Sequence, residues 1–227
     1  MAKTTPGGTA FGISIGLAFI GGYADAASFL LAQTFTGHLT GNCVLAAVSV
    51  ASKEWNLAAD RLLAVAAFLA GILASLAFSR ILLSQLKRYS LATAMFLEVL
   101  LITSACLLLA NHANNELFIL CMCLALGIQN DALRNTHQVS VHSTYMTGMV
   151  TSLVQKGFGY WLFDRSVESE SSRDSASTAI HVLAPMWISF MLGALGGAVI
   201  VACFHELGLL GIALLLGLLI YVELKAN

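Results

Sequence analysis

Asp25 and Asp131 stand inside long apolar runs, in the matched contexts Gly21-x-x-x-Asp25-Ala26 and Gly127-x-x-x-Asp131-Ala132. A carboxylate at the centre of a membrane helix costs about 2.5 to 3.5 kcal/mol on insertion scales, so it normally faces the bundle interior or a polar cavity and finds a partner there. Thr40-Gly41-Asn42 begins fifteen residues after Asp25, and Thr147-Gly148 begins sixteen after Asp131, preceded by Thr144 and Tyr145. Amides and hydroxyls both donate and accept hydrogen bonds. Asn42, Gln129, Asn130, Thr40 and Tyr145 therefore suit a neutral polar solute or opened backbone equally well. Gly41 and Gly148 permit a non-helical turn or a close backbone approach, and a helix starting there aims free amide groups at whatever lies before it. The candidate solute site comprises Asp25, Thr40, Gly41, Asn42, Gln129, Asn130, Asp131, Tyr145, Thr147 and Gly148. Plainer readings stand beside it: helix caps at the Thr-Gly pairs, and an ion pair between Asp131 and Arg134 three residues on.

Glu98 lies about eight residues into another apolar run and has no counterpart in the second half of the chain. If buried, it would hold its proton until water or a cation arrives, because desolvation disfavours the charged form. Proton coupling is one reading and an interhelical hydrogen bond the other. Glu206 and Glu223, near helix ends, read as solvated. Enzyme signatures are poor. The six histidines form no metal-ligand spacing, Cys121-x-Cys123 is unlike a redox or zinc pair, and there is no phosphate-binding loop, dinucleotide fingerprint or nucleophile elbow. We expect no catalysis, no metal and no cofactor.

The elements that must position these residues are membrane helices. Of 227 residues 58% are apolar and 10% charged, with mean hydropathy +0.84, against roughly 25% charged in soluble domains. A net charge of -1 offers no basic field, which argues against nucleic acid as a partner. The five cysteines lie in or beside apolar runs and are expected to stay unpaired. Since about 20 apolar residues span a bilayer core, six spans are expected, near residues 11–31, 60–82, 90–110, 117–134, 184–204 and 207–224. The two Thr-Gly segments between them are interfacial helices, re-entrant half helices or further spans; non-helical backbone at membrane depth needs protein or a polar cavity around it. With six spans and a cytoplasmic amino terminus, nine basic residues fall inside and two, Lys53 and Arg61, outside. That bias puts both termini in the cytoplasm, with a polar cytoplasmic loop near 164–180.

The matched motifs divide the chain into two three-span halves, 1–112 and 113–227, with offsets of 106 and 107 at the Asp and Thr-Gly motifs and of 122 between Phe68-x-x-Gly71 and Phe190-x-x-Gly193. Three is odd, so the second half must enter the membrane from the opposite side, the inverted-repeat plan of many secondary transporters. Gly12-x-x-x-Gly16 and Gly193-x-x-x-Gly197 predict close helix crossings. The fold class expected is thus an all-α polytopic transmembrane bundle of about six spans, plus two Thr-Gly-opened segments, in two inverted repeats.

The strings GGYADAASFLLAQTFTGHLTGN, GIQNDALRNT and STYMTG resemble the YoaK family of bacterial inner-membrane proteins. The resemblance covers nearly the whole chain and implies a small multi-span protein of the inner membrane, with no activity attached. It marks Gly22, Asp25, Ala26, Thr40, Gly41 and Asn42, then Gly127, Gln129, Asn130, Thr144, Tyr145, Thr147 and Gly148 as the positions that carry the pattern. Asp131 departs from it, since the family more often has a small residue there. Two functions fit. One is a small-solute secondary transporter with a midplane site between the halves. The other is a non-transporting scaffold or partner subunit whose polar residues hold helices together. Expected partners are the lipid bilayer, an unidentified small molecule or ion, and a second copy in a homodimer.

Overall fold

The computed structural model describes residues 8–82, 89–112, 114–137, 146–158, 177 and 179–226. Those residues are helical almost throughout. The helices are α1 (Gly8–Ala32), α2 (Leu39–Ala51), α3 (Trp55–Leu82), α4 (Ser90–Ala110), α5 (Asn115–His137), α6 (Met146–Ser152), α7 (Ala184–Phe204) and α8 (Leu210–Ala226). A π-type turn, Leu153–Phe158, extends α6, another, Ala179–Leu183, leads into α7, and a 3-10 turn, His205–Leu209, joins α7 to α8. The runs are rich in Ala and Leu, and Pro185 sits in the first turn of α7, where its missing N–H costs nothing. Four helices end on a residue with positive φ that is not glycine: Gln33 after α1, Lys53 after α2, His112 after α4 and His205 after α7. Such left-handed residues stop a helix and reverse the chain within a few residues.

By length and composition, four stretches are fit to cross a membrane: Gly8–Ala32, Trp55–Arg80, Ser90–Ala110 and Ile180–Ala226. This is an all-α, multi-pass membrane protein. The last stretch, at 47 residues, is not one straight rod. Ser189 Oγ donates to the carbonyl of Ile15, Gly193 lies against Phe19 and Gly197 against Tyr23, so α7 runs parallel to α1. Gly211 lies against the Tyr23 ring and Gly16 against Leu219, so α8 runs antiparallel to α1. The chain therefore turns back on itself at His205–Leu209. Tyr23 pins that corner, its hydroxyl donating to the Gly208 carbonyl at 2.7 Å.

Helix α1 packs on α7, α8 and α5; α5 packs on α3, α4 and α1; and α4 packs on α8. The apolar core runs through all six, with Ile20, Met95, Ile102, Phe118, Met122, Ile212 and Leu216 fully enclosed. A smaller cluster of Ala18, Met146, Met149, Met186 and Phe190 joins α6 to α1 and α7. Two crossings are glycine-lined. A methyl group on Gly22 would overlap the Phe190 carbonyl oxygen, and one on Gly127 would overlap the Phe68 carbonyl oxygen, so only glycine lets α1 meet α7, and α5 meet α3, this closely. Gly193 meets the Phe19 carbonyl and Gly71 that of Leu124 in the same manner. The expected Gly12-x-x-x-Gly16 crossing does not form at Gly12, which has nothing within reach of an added methyl.

The first Thr-Gly segment is the 13-residue α2. At about 1.5 Å per residue it covers about 20 Å, short of a hydrocarbon core of about 30 Å. It returns through a tight turn at Ser52–Glu54 into α3, which starts at Trp55 rather than near residue 60. All five cysteines are free. Glu223, expected to be solvated, is 5% exposed and buried within the bundle.

Candidate functional site

Two groups of buried polar side chains stand out against the apolar core. The first is built on the segment 33–38 that links α1 to α2. Gln33 ends α1 in a left-handed conformation, its N–H still bonded to the Phe29 carbonyl at 2.9 Å. The chain then dives back along α1, which brings its open backbone to Asp25. Asp25 Oδ1 accepts hydrogen bonds from Thr36 N at 2.9 Å, Thr36 Oγ1 at 2.9 Å and Gly37 N at 2.6 Å. Asp25 Oδ2 faces His38 Nδ1 at 2.5 Å. Asn42, one turn into α2, closes the loop from the other side: its Oδ1 accepts from Phe35 N at 3.0 Å and its Nδ2 donates to Phe35 O at 2.8 Å. Loop amides that would otherwise be orphaned inside the bundle are thereby satisfied, which buried backbone requires.

Arg61 secures the same loop from α3. Its Nε donates to Gln33 O at 3.3 Å, and its Nη1 donates to Leu45 O at 2.8 Å and Ser49 Oγ at 2.5 Å. Counted from sequence only as a basic residue on the outer side, Arg61 is 6% exposed, because it lies on α3 where that helix packs on α2. An Arg so close to an apolar run was the available signal, since its five N–H groups must find acceptors wherever it is buried.

His38 is the open end of this clasp, with about a third of its side chain accessible. Its ring lies between Phe35, at 5.5 Å between centroids, and Phe190 of α7, at 5.9 Å. His38 lies outside the spanning helices, and its pKa is raised above the ordinary histidine value. The hydrogen bond to the Asp25 carboxylate is the main cause and the carboxylate's charge adds to it, while partial burial acts the other way.

The second group lies in the middle of the bundle. Glu98 of α4 is 0% exposed, and among the described residues neither of its carboxyl oxygens has a hydrogen-bond partner. Gln129 of α5, 3% exposed, has an amide nitrogen in the same condition, as has the hydroxyl of Ser28 on α1. Glu98 lies thirteen residues before Asn111 and Gln129 fifteen residues after Asn114, on the two arms of the α4–α5 hairpin. At about 1.5 Å per residue their heights differ by about 3 Å. Glu98 shares the buried stripe of α4 with Leu91, Met95, Ile102 and Ala105. Gln129 shares that of α5 with Phe118, Met122 and Ala125, about 200° round the helix from Gly127 and hence away from the α3 crossing. The helices left to pack on that face are α4 and α1.

Of the residues singled out from sequence, Asp25 and Asn42 come together on the 33–38 loop, and Gly41 packs between Phe35 and His38. Gln129 and Asp131 are buried and Asn130 is half-buried on α5. Thr40 on α2 and Thr147 and Gly148 on α6 are exposed. Thr144, Tyr145 and the side chain of Arg134, with the pair proposed between Arg134 and Asp131, lie outside the described residues.

The family model described as "Protein of unknown function (DUF1275)" matches residues 13–222. The chain belongs to that family. No curated protein and no solved structure matches it.

Proposed function

We propose that this DUF1275 protein, close in pattern to YoaK, is a small-solute secondary transporter of the bacterial inner membrane, not an enzyme, with a midplane site between its two halves. The observation that carries the reading is that, among the described residues, both carboxyl oxygens of buried Glu98 and the amide nitrogen of buried Gln129 lack hydrogen-bond partners, at nearly one height in the bundle. Buried polar groups are nearly always hydrogen-bonded, and an orphan calls for a water, an ion or a ligand to complete it. An isolated carboxylate is too costly to leave bare. Glu98 is therefore read as the neutral acid, able to donate to a solute or to give up its proton when the site hydrates, and Gln129 as the amide that orients the solute.

The two halves are read as inverted repeats with six crossings, α1, α3, α4, α5, α7 and α8, both termini being cytoplasmic. Support comes from the two glycine crossings. Gly22 beneath Phe190 and Gly127 beneath Phe68 play one role, as do Phe19 beside Gly193 and Leu124 beside Gly71. Each α1–α5 match has an offset of 105 and each α3–α7 match an offset of 122. On that register Asp25 answers to Asn130 and not Asp131, in keeping with the family departure at 131. The antiparallel α7–α8 hairpin adds the even number of passes that the plan requires. Alternating access would be rocking of one half on the other about these crossings.

The scaffold alternative draws on Asp25, whose carboxylate is fully occupied by the loop and needs no ligand. The test is thermal unfolding of the detergent-purified protein across a panel of metabolites and ions, native against Glu98→Gln. A ligand that binds the folded state at a hundred times its Kd stabilises by about 2.7 kcal/mol. A solute whose shift vanishes in Glu98→Gln, and which native protein in vesicles then accumulates, supports transport. No shift with any solute, and a Glu98→Gln variant merely changed in stability, sinks it in favour of the scaffold.

A further inference from the structure

His38 is held by one ring nitrogen only. Nδ1 lies 2.5 Å from Asp25 Oδ2, and among the described residues Nε2 has no partner. Asp25 is in turn fixed by three donors on its other oxygen, Thr36 N, Thr36 Oγ1 and Gly37 N. A carboxylate immobilised in this way sets the imidazole tautomer: Nδ1 carries the hydrogen and Nε2 is left as a lone pair. About a third of the His38 side chain stays open.

We propose that Asp25 and His38 form a proton-binding dyad, in which His38 Nε2 takes up a proton from water at the boundary between the two halves and Asp25 holds the ring and balances the charge. One N–H bond forms at Nε2, the donor water or hydronium loses that proton, and the imidazole becomes an imidazolium beside a carboxylate. Release reverses the step. No electrons move and no co-reactant is needed.

The surroundings fit. Asp25 on α1 is the charged group in contact with the ring. From α5, Cys123 approaches the loop, its Sγ 3.8 Å from the Phe35 carbonyl. From α3, Arg61 is engaged at the far end of the loop on Gln33 O. Helix α7 offers Phe190, which is uncharged. The raised affinity of His38 for its proton agrees with this placement, since Asp25 favours the charged ring. Phe190 gives the proton a mechanical consequence. A cation over the face of an aromatic ring, within about 6 Å of its centroid, is attracted by it, and the His38 and Phe190 rings lie 5.9 Å apart, tilted by 49°. Charging His38 therefore tightens a contact between the first-half loop and second-half α7, and discharging it loosens that contact. This last step, coupling to movement, rests on the transporter reading; the dyad itself does not.

The test is nitrogen NMR of the full chain in detergent, with 15N-labelled histidine and His38 assigned by His38→Gln. At alkaline pH the native ring should be the Nδ1–H tautomer, and its midpoint should lie above the free value of about 6.5. Asp25→Asn should lower that midpoint, because the carboxylate is what raises it. An Nε2–H tautomer at alkaline pH in the native chain overturns the dyad, and because this needs no variant it holds even if Asp25→Asn fails to fold. A midpoint unmoved in a folded Asp25→Asn overturns it equally. Coupling is read separately, in vesicles enclosing a pH-sensitive dye under an imposed pH gradient. Proton flux through native protein that is lost in His38→Gln supports coupling, and flux that persists overturns it. Native protein with the expected tautomer and midpoint but no flux leaves the dyad standing and overturns the coupling, while the transporter reading is decided by the solute panel.

Discussion

The helices that carry the two Thr-Gly pairs are held by different contacts. In the first half the residue after the pair is Asn42, 1% exposed, which bonds both the N–H and the carbonyl of Phe35 while Asp25 and Arg61 secure the remainder of the loop. In the second half the residue after the pair is Met149, 6% exposed, packed with Ala18, Met186 and Phe190. The offset of 122 that matches α3 to α7 puts Leu183 where the first half has Arg61. Among the described residues, hydrogen bonds thus fix the loop before α2, and van der Waals packing on α1 and α7 holds α6. Hydrogen bonds are directional and costly to leave unmade, so the polar anchor fixes one geometry, whereas methionine packing tolerates small shifts.

The largest effect that would break this contrast is at Asp25. Asp25→Ala removes the acceptor for two buried backbone amides and a hydroxyl and leaves His38 without its partner. Stranding buried donors costs about 1 to 3 kcal/mol each, so losing three of them should cost about 3 kcal/mol or more, and the loss should appear as a lower Tm in detergent together with faster proteolysis between residues 33 and 38. A Tm within a degree of native would show that the clasp is ornamental.

Next comes Asn42→Leu, which keeps the volume and removes both bonds to Phe35. Two stranded backbone groups at about 1 to 3 kcal/mol each give an expected cost of about 2 to 6 kcal/mol. The mirror experiment is Met149→Ala, for which the cavity rule gives about 2 to 5 kcal/mol at a fully packed site; the 6% exposure and short helix of Met149 put the expected value at the lower end. The informative quantity is the pair. Asn42→Met should be damaging and Met149→Leu nearly neutral, below about 1.5 kcal/mol. Comparable losses in both, by chemical unfolding, would dissolve the distinction between a polar and an apolar anchor.

The two halves also differ in how far the sequence foretold them. Membrane helices were legible because the apolar runs are long, and Asp25 and Asn42 were legible because polar groups inside such runs must be satisfied. What they bind was not. From letters alone, an aspartate before a Thr-Gly turn fits a solute as well as a backbone loop, and only the reversal at Gln33, set by a left-handed residue with no glycine to advertise it, brings Thr36, Gly37 and His38 onto Asp25. Arg61 was legible only as a charge at the outer end of a span; that it reaches back to Gln33, Leu45 and Ser49 depends on how α2 folds against α3, which the letters do not give. Thr40, Thr147 and Gly148 were drawn to the site by their resemblance to one another, yet they lie on the exposed sides of α2 and α6. Repetition pointed to the loop before α2 and said nothing about which side of it faces inward.

The smallest expected effect, and the sharpest test of the contrast, is its dependence on pH. His38 has a folded pKa above its unfolded value because of Asp25, so the charged ring is favoured by folding. Its contribution to stability is fully present below the unfolded value of about 6.5 and is lost as pH rises through the higher folded value. By the Thr-Gly register the second half carries Tyr145 where the first carries His38. Native protein should therefore lose Tm on going from pH 6 towards pH 8 relative to His38→Gln, the difference between the two curves cancelling the other histidines. With a third of the ring open to solvent, the difference should be a small one. Asp25→Asn should flatten it, because the same carboxylate that ties the loop raises the histidine. A difference of opposite sign, with native gaining on His38→Gln as pH rises, would mean that the ring is held neutral, and the first-half anchor would then be no more sensitive to protons than the methionines that replace it in the second.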